Sequence, residues 1–286
     1  MLTQALHSRS PYTRSRMAFG NATTDSHTDS HTDSHTDSRP RLAATITPLL
    51  SGVEPLDVRE SLAWASVAGF RAVQLSATDP ATRPRELKGS ARRDFCATLA
   101  RNELQCSGID FFIPPSHWSD PQHMERAHDA LINAILFAAE LGLAPVLAPM
   151  PDDVAVDVLA SIAEHAARAG VSILRAAAKD LTNSTFAPPF AACIDCATVL
   201  GEGARPEDLV ARSGASLGGI RLVDLHRSGL RGPLMEPRES RLDALALKVA
   251  LEISGFRGIP VIDARQWALP REGLEKSLAR WSALGR

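Results

Sequence analysis

The chain has 286 residues, 44% of them hydrophobic and 22% charged, with a formal net charge of −2. This is globular composition for one large or two small domains, and interspersed charge of both signs supplies no field for nucleic acid or an acidic membrane surface. The apolar runs around Ala134 and Leu247 are broken by Glu140 and Lys248, short of the ~20 residues of a membrane span, and Cys96, Cys106, Cys193 and Cys196 are too few for a disulfide framework. A soluble protein of the reducing cytoplasm is expected.

Residues 1–41 carry no hydrophobic period. Asp25 to Ser38 is a near-perfect Asp-Ser-His-Thr repeat with His27, His31 and His35, and such a tract buries too little apolar surface to offset chain entropy, so a disordered tail is expected. The segment before it holds Arg9, Arg14 and Arg16 and no acid before Asp25, loosely the composition of a transit peptide but without its apolar face. Met17 is a second candidate start.

From Leu42 to the C-terminus short apolar runs alternate with stretches of helical period, the pattern of βα units and a parallel sheet. The predicted strands are Ala43–Thr47, Ala72–Leu75, Gln105–Phe111, Pro145–Ala148, Val171–Leu174, Ala191–Asp195, Gly219–Asp224 and Pro260–Asp263. Helices are predicted over Val58–Ala68, Ser90–Asn102, Pro121–Leu141, Val154–Ala169, Pro206–Ser213, Ser240–Ser254 and Arg271–Leu284, with Gly69, Gly142, Gly170 and Gly255 closing four of them. Eight such units over residues 42–286 fit an α/β (β/α)8 TIM barrel. The linker Arg175–Phe190 has room for little more than a turn, so the fifth helix is expected to be short or missing. An open doubly wound sheet that binds a dinucleotide would want Gly-x-Gly-x-x-Gly after the first strand, and Thr47–Gly52 supplies none.

In a TIM barrel chemistry sits at the C-terminal ends of the strands. Those ends present Thr47, Gln74 and Ser76, Asp110, Met150, Arg175, Asp195, Asp224 with His226, and Asp263 with Arg265. Cys193-x-x-Cys196 spans a strand end and reads as two buried thiols, not a redox or zinc pair. His123 and His128 are five apart on a helix and face different ways. His117, in the loop over the mouth, is a candidate substrate contact, and His226 a candidate acid/base because an unperturbed imidazole titrates near neutrality.

Gly69-Phe70-Arg71-Ala72-Val73-Gln74-Leu75, the run Phe112-Ile113-Pro114-Pro115 through His117, Asp120-Pro121 and Arg126-Ala127 to Ala138-Ala139-Glu140-Leu141-Gly142, Cys193-Ile194-Asp195 and Ile220-Arg221-Leu222-Val223-Asp224 resemble the sugar phosphate isomerase/epimerase family with the xylose-isomerase-like TIM barrel. The resemblance implies a sugar or sugar phosphate as partner, carbohydrate metabolism, and a divalent metal in the barrel mouth. The family's ligands are a Glu ending the fifth strand, an Asp and a following His at the sixth, a His in the seventh and a Glu ending the eighth. The matching positions here are Arg175, Asp195 with Thr198, Arg221 and Asp263. A guanidinium that keeps its proton does not share a site with a divalent ion, so no Mn, Mg or Zn is expected. Arg175 and Arg221 are instead expected to fill the metal's space and pair with Asp195 and Asp263.

Two functions follow. One is an isomerase or epimerase on a sugar or sugar-derived acid, working without metal through Asp195, Asp224, His226 or Asp263; the other is a catalytically inactive relative that binds a ligand or regulates. In either, Gln74, Asp110, His117, Arg175, Arg221 and Arg265 are candidate substrate contacts, with Trp118 or Trp267 stacked on a sugar ring. The alternative for the last five is structural: tryptophans that cap the barrel and arginines that neutralise aspartates.

Overall fold

The computed structural model describes residues 41–52, 54–176 and 187–285. The expectations for the N-terminal tail and for a shortened fifth helix lie outside these residues. Within the unit Arg39–Arg286, eight parallel strands close into a barrel. In chain order they are β1 (Ala43–Thr45), β2 (Ala72–Ser76), β3 (Gln105–Asp110), β4 (Val146–Leu147), β5 (Ile173–Ala176), β6 (Phe190–Asp195), β7 (Leu217–Leu222) and β10 (Val261–Ile262), with β10 pairing β1 to complete the ring.

A hairpin of β8 (Asp224–Leu225) and β9 (Arg231–Gly232) follows β7 outside the barrel. Asp224 therefore leaves the seventh strand, where the sequence reading had put it. Two short helices not predicted from periodicity, α1 (Thr47–Leu50) and α6 (Cys196–Gly201), follow β1 and β6 directly.

The longer helices start where their caps lie. Asp57 and Glu60 form a reciprocal capping box at α2 (Val58–Ala68), and Asp120 caps Pro121 at α4 (Pro121–Glu140). Helices α3 (Gly89–Arg101), α5 (Val156–Ala169), α7 (Pro206–Ser213), α8 (Ala244–Ile253) and α9 (Pro270–Ala283) complete the described set. Gly69 and Gly170 end α2 and α5 at φ +101° and +68°, a conformation that leaves no comfortable place for a Cβ.

Side chains alternate across each strand, and the buried clusters show which parity faces where. Val73, Ile109, Val146, Ile173, Ile194, Leu222 and Ile262 lie in the large layer shared with Leu131, Ile135 and Leu247 of the helices. Ala43, Ala72 and Val261 form one cluster inside the ring, and Leu147, Leu174 and Cys193 another. Two residues beyond an inward position the chain faces inward again, so Asp195 follows Cys193 into the barrel and Asp263 follows Val261. By the same rule Arg175, next to inward Leu174, turns outward.

Candidate functional site

The inward parity brings Asp110, Asp195, Arg221 and Asp263 together at the C-terminal end of the barrel. Arg221, from β7, is their centre, with its side chain 3% exposed. Its Nη1 donates to Asp110 Oδ1 at 3.0 Å, Nη2 contacts Asp263 Oδ2, and Nε lies 3.6 Å from Asp195 Oδ2. Arg265 donates from Nε and Nη2 to the two Asp263 oxygens at 2.9 and 3.0 Å and sets Nη1 3.4 Å from Asp110 Oδ2. Its guanidinium lies 3.8 Å from the ring centroid of Phe112, two residues beyond the end of β3.

Asp195 is held from two sides. It caps α6 by accepting the Thr198 amide at 2.9 Å, and it accepts a fork–fork pair from Arg231 of β9 at 2.7 and 3.0 Å. Three carboxylates thus face three guanidinium groups.

The titration behaviour follows from this pairing. Burial opposes ionisation of Asp195, but Arg231, the Thr198 amide and Arg221 outweigh it and hold the carboxyl below the usual range. Burial is likewise outweighed at Asp263, where Arg221 and Arg265 hold the carboxyl low. At Asp110 burial prevails over Arg221 and Arg265, and its pKa is raised. Burial works against the Arg221 cation, yet Asp110 and Asp263 raise its pKa, and it keeps its proton.

The residues predicted from sequence divide accordingly. Asp110, Asp195, Arg221, Asp263 and Arg265 meet at the mouth. Arg175 does not join them: it pairs with Asp152 Oδ1 at 3.1 Å, so the expectation that it faces Asp195 and Asp263 is corrected by strand parity. Gln74 points into the barrel but lines a cavity opening at the opposite, N-terminal end.

Asp224 is buried and accepts the backbone N–H groups of Met235, Arg241 and Leu242 at 3.3, 3.3 and 3.1 Å. His226 donates from Nε2 to the Pro233 carbonyl at 3.1 Å. Both therefore brace the loop after β7. Trp118 is 1% exposed and packs edge-on against Phe111, which leaves no face for a sugar. Trp267 packs on Gly273 of α9, where any side chain would collide with the indole. His117 stacks with His123, ring centroids 4.5 Å apart, in a cleft of about 660 Å³ beside α4.

Sequence reasoning missed Arg231 and Phe112 as parts of the site. Arg231 lies on a hairpin with no apolar alternation, and its contacts with Asp195 and the Thr198 hydroxyl mark it. Cys193 and Cys196 are free and buried as expected, and burial pushes the Cys193 thiol up to about 12.

The family that the sequence resembles carries a divalent metal at this place. Here the aspartates converge as ligands would, but on a guanidinium. Among the described residues no three His, Cys, Asp or Glu side chains are disposed to hold an ion. A permanent cation ion-paired with all three carboxylates, two of which also take a fork of hydrogen bonds from Arg231 or Arg265, leaves neither the lone pairs nor the charge balance a divalent ion needs, so this donor set does not fit one.

No protein-family model and no curated protein matches the chain. Solved structures do. The D-allulose 3-epimerase from Methylomonas sp. is similar at TM-score 0.62 and 15% identity, over 85% of this chain and 96% of that one. A probable 3-DHS dehydratase from Bacillus anthracis is similar at 0.66 and 12%, over 84% and 97%. A sugar phosphate isomerase/epimerase from Parabacteroides distasonis is similar at 0.62 and 13%, over 88% and 96%. The fold is that of a parallel (β/α)8 barrel. Within that class it has the xylose-isomerase-like TIM-barrel fold.

Proposed function

We propose that the protein is a sugar isomerase/epimerase-like barrel that receives a sugar or sugar-derived acid at its C-terminal mouth and does so without a divalent metal. The observation that carries this reading is Arg221, a buried guanidinium shared by Asp110, Asp263 and Asp195 where the fold family carries its ion. Arg231 and Arg265 are partly exposed at the same mouth, and guanidinium forks suit a carboxylate or phosphate on the ligand. The four free thiols support a reducing, cytoplasmic setting.

A second reading, ligand binding without turnover, is favoured by the pairing of Asp110, Asp195 and Asp263 with guanidinium groups. A general base needs a free carboxylate or imidazole within reach of the substrate proton. Asp195 and Asp263 are held low by their partners, and His226 is bound to Pro233.

One experiment addresses both readings. Metal-free protein is screened against aldonic acids, uronic acids and sugar phosphates by calorimetry, and each binder is then incubated in D2O and followed by proton NMR. Binding that needs no metal and weakens in Arg265→Ala supports the mouth assignment. Exchange of the proton next to the carbonyl identifies an enzyme, and binding without exchange identifies the inactive relative. A ligand that binds only after Mn2+ is added overturns the metal-free reading.

A further inference from the structure

Below Arg221 the barrel is not filled. Gly218 and Gly219 of β7 are among the residues lining a cavity of about 270 Å³ there, which opens at the N-terminal ends of the strands. Arg221 separates this space from the mouth. The apolar side chains of Pro145, Leu174 and Val261 share its walls with the polar ones of Gln74, Ser107 and Arg221.

Two features of the cavity call for a partner. Gln74 is 4% exposed, and its Oε1 is buried without a hydrogen-bond partner among the described residues. A buried amide oxygen left without a donor is destabilising. At the open end, Arg41 and Arg257 line the rim. Neither makes an ion pair or hydrogen bond with the described residues. The cavity thus presents cationic groups at its rim, apolar side chains of Pro145, Leu174 and Val261 along part of its wall, and an unsatisfied hydrogen-bond acceptor.

We propose that the N-terminal end of the barrel is a second binding cavity, separate from the mouth, for a small aliphatic acid bearing a hydrogen-bond donor at its far end. The acid group meets Arg41 and Arg257, the carbon chain lies along the apolar part of the wall, and a terminal hydroxyl donates to Gln74 Oε1. Water satisfies the amide equally well in chemistry but makes no use of the rim guanidinium groups or the apolar side chains. This inference does not depend on what the mouth binds.

The test uses the full chain and two probes, 6-hydroxyhexanoate and hexanoate, titrated by calorimetry. The hydroxy acid is expected to bind roughly threefold to tenfold more tightly, the increment of one neutral hydrogen bond. Gln74→Met is expected to abolish this preference while hexanoate still binds, and Arg257→Ala to weaken both acids. Arg265→Ala, at the mouth, is expected to leave both affinities unchanged. Equal affinity of the two acids for the unmodified chain, a preference that survives Gln74→Met, or no binding of either acid overturns the proposal. The first and last of these outcomes are read on the unmodified protein and so do not depend on a variant folding.

Discussion

Arg221 Nη1 donates to Asp110 Oδ1 at 3.0 Å across 111 residues of chain, with side chains 3% and 2% exposed. The bond joins β7 to β3 through the interior of the barrel. Removing one partner of a buried pair leaves an uncompensated charge, which is worse than having neither.

Arg221→Met is therefore expected to destabilise the protein by roughly 3–5 kcal/mol, because it takes from buried Asp110 its hydrogen-bonded cation and leaves Asp263 with Arg265 alone. Urea unfolding followed by circular dichroism measures the loss. Adding Asp110→Asn and Asp263→Asn to the same chain is expected to restore part of it. If Arg221→Met alone costs less than about 1 kcal/mol, a surface-pair magnitude, the centre of the site is not the tightly coupled cluster described here.

The hairpin arginine can be tested by itself. Arg231→Ala is expected to cost about 1–2 kcal/mol, the worth of a partly exposed charge-assisted pair, and to release Asp195 from one of its two restraints. Its carboxyl, observed by carbon NMR, is then expected to titrate closer to the ordinary carboxylate range. An unchanged Asp195 titration contradicts the assignment.

The pairings also set a pH dependence. A carboxyl whose folded pKa lies below its unfolded value, near 3.9, contributes stability that is present above that value and lost as pH falls through the folded pKa. Asp195 and Asp263 are of this kind. Asp110, raised by burial, acts in the opposite sense: its protonation on acidification relieves a cost. Stability is thus expected to fall below about pH 4, less steeply in Asp195→Asn and Asp263→Asn and more steeply in Asp110→Asn. Urea midpoints between pH 2.5 and pH 7 measure the three slopes, and identical slopes in all variants contradict the account.

Asp224 separates structure from chemistry. Asp224→Ala removes the acceptor for three backbone N–H groups and is expected to cost about 2–4 kcal/mol, at roughly 1 kcal/mol or more for each buried donor left unpaired. The dissociation constant of a mouth ligand is expected to stay within a factor of two. A large loss of affinity in a folded variant would instead place Asp224 in the site.

The barrel was legible in the sequence because βα alternation and helix-closing glycines are local signals. The predicted helix Val58–Ala68 appears with its bounds unchanged, and Pro206–Ser213 likewise. The pairing of Arg175 was not legible. In a parallel sheet both faces are buried, so Ile173 and Leu174 look alike in sequence, and nothing local says which of them faces the barrel interior. Knowing that Leu174 faces in would have turned Arg175 out to Asp152. Asp224 was misplaced for a related reason: Leu222-Val223-Asp224-Leu225 reads as one strand, and the change from barrel to hairpin is set by partners at Arg231 and Gly232. Arg231 itself carries no local mark. A long-range bond to Asp195 is a property of the fold and not of the residues around it.

The central claim is that the Arg221 guanidinium stands in place of a metal ion. Calorimetric titration of chelator-treated full-length protein with Mn2+ and Mg2+ tests it most directly, both ions being chosen because they prefer oxygen donors over the histidines of the tail repeat. The account predicts no binding to the unmodified protein, and stoichiometric Mn2+ binding by Arg221→His, which replaces the cation by a ligand beside Asp195 and Asp263. One ion bound tightly per unmodified chain, and lost in Asp195→Asn or Asp263→Asn, would contradict it.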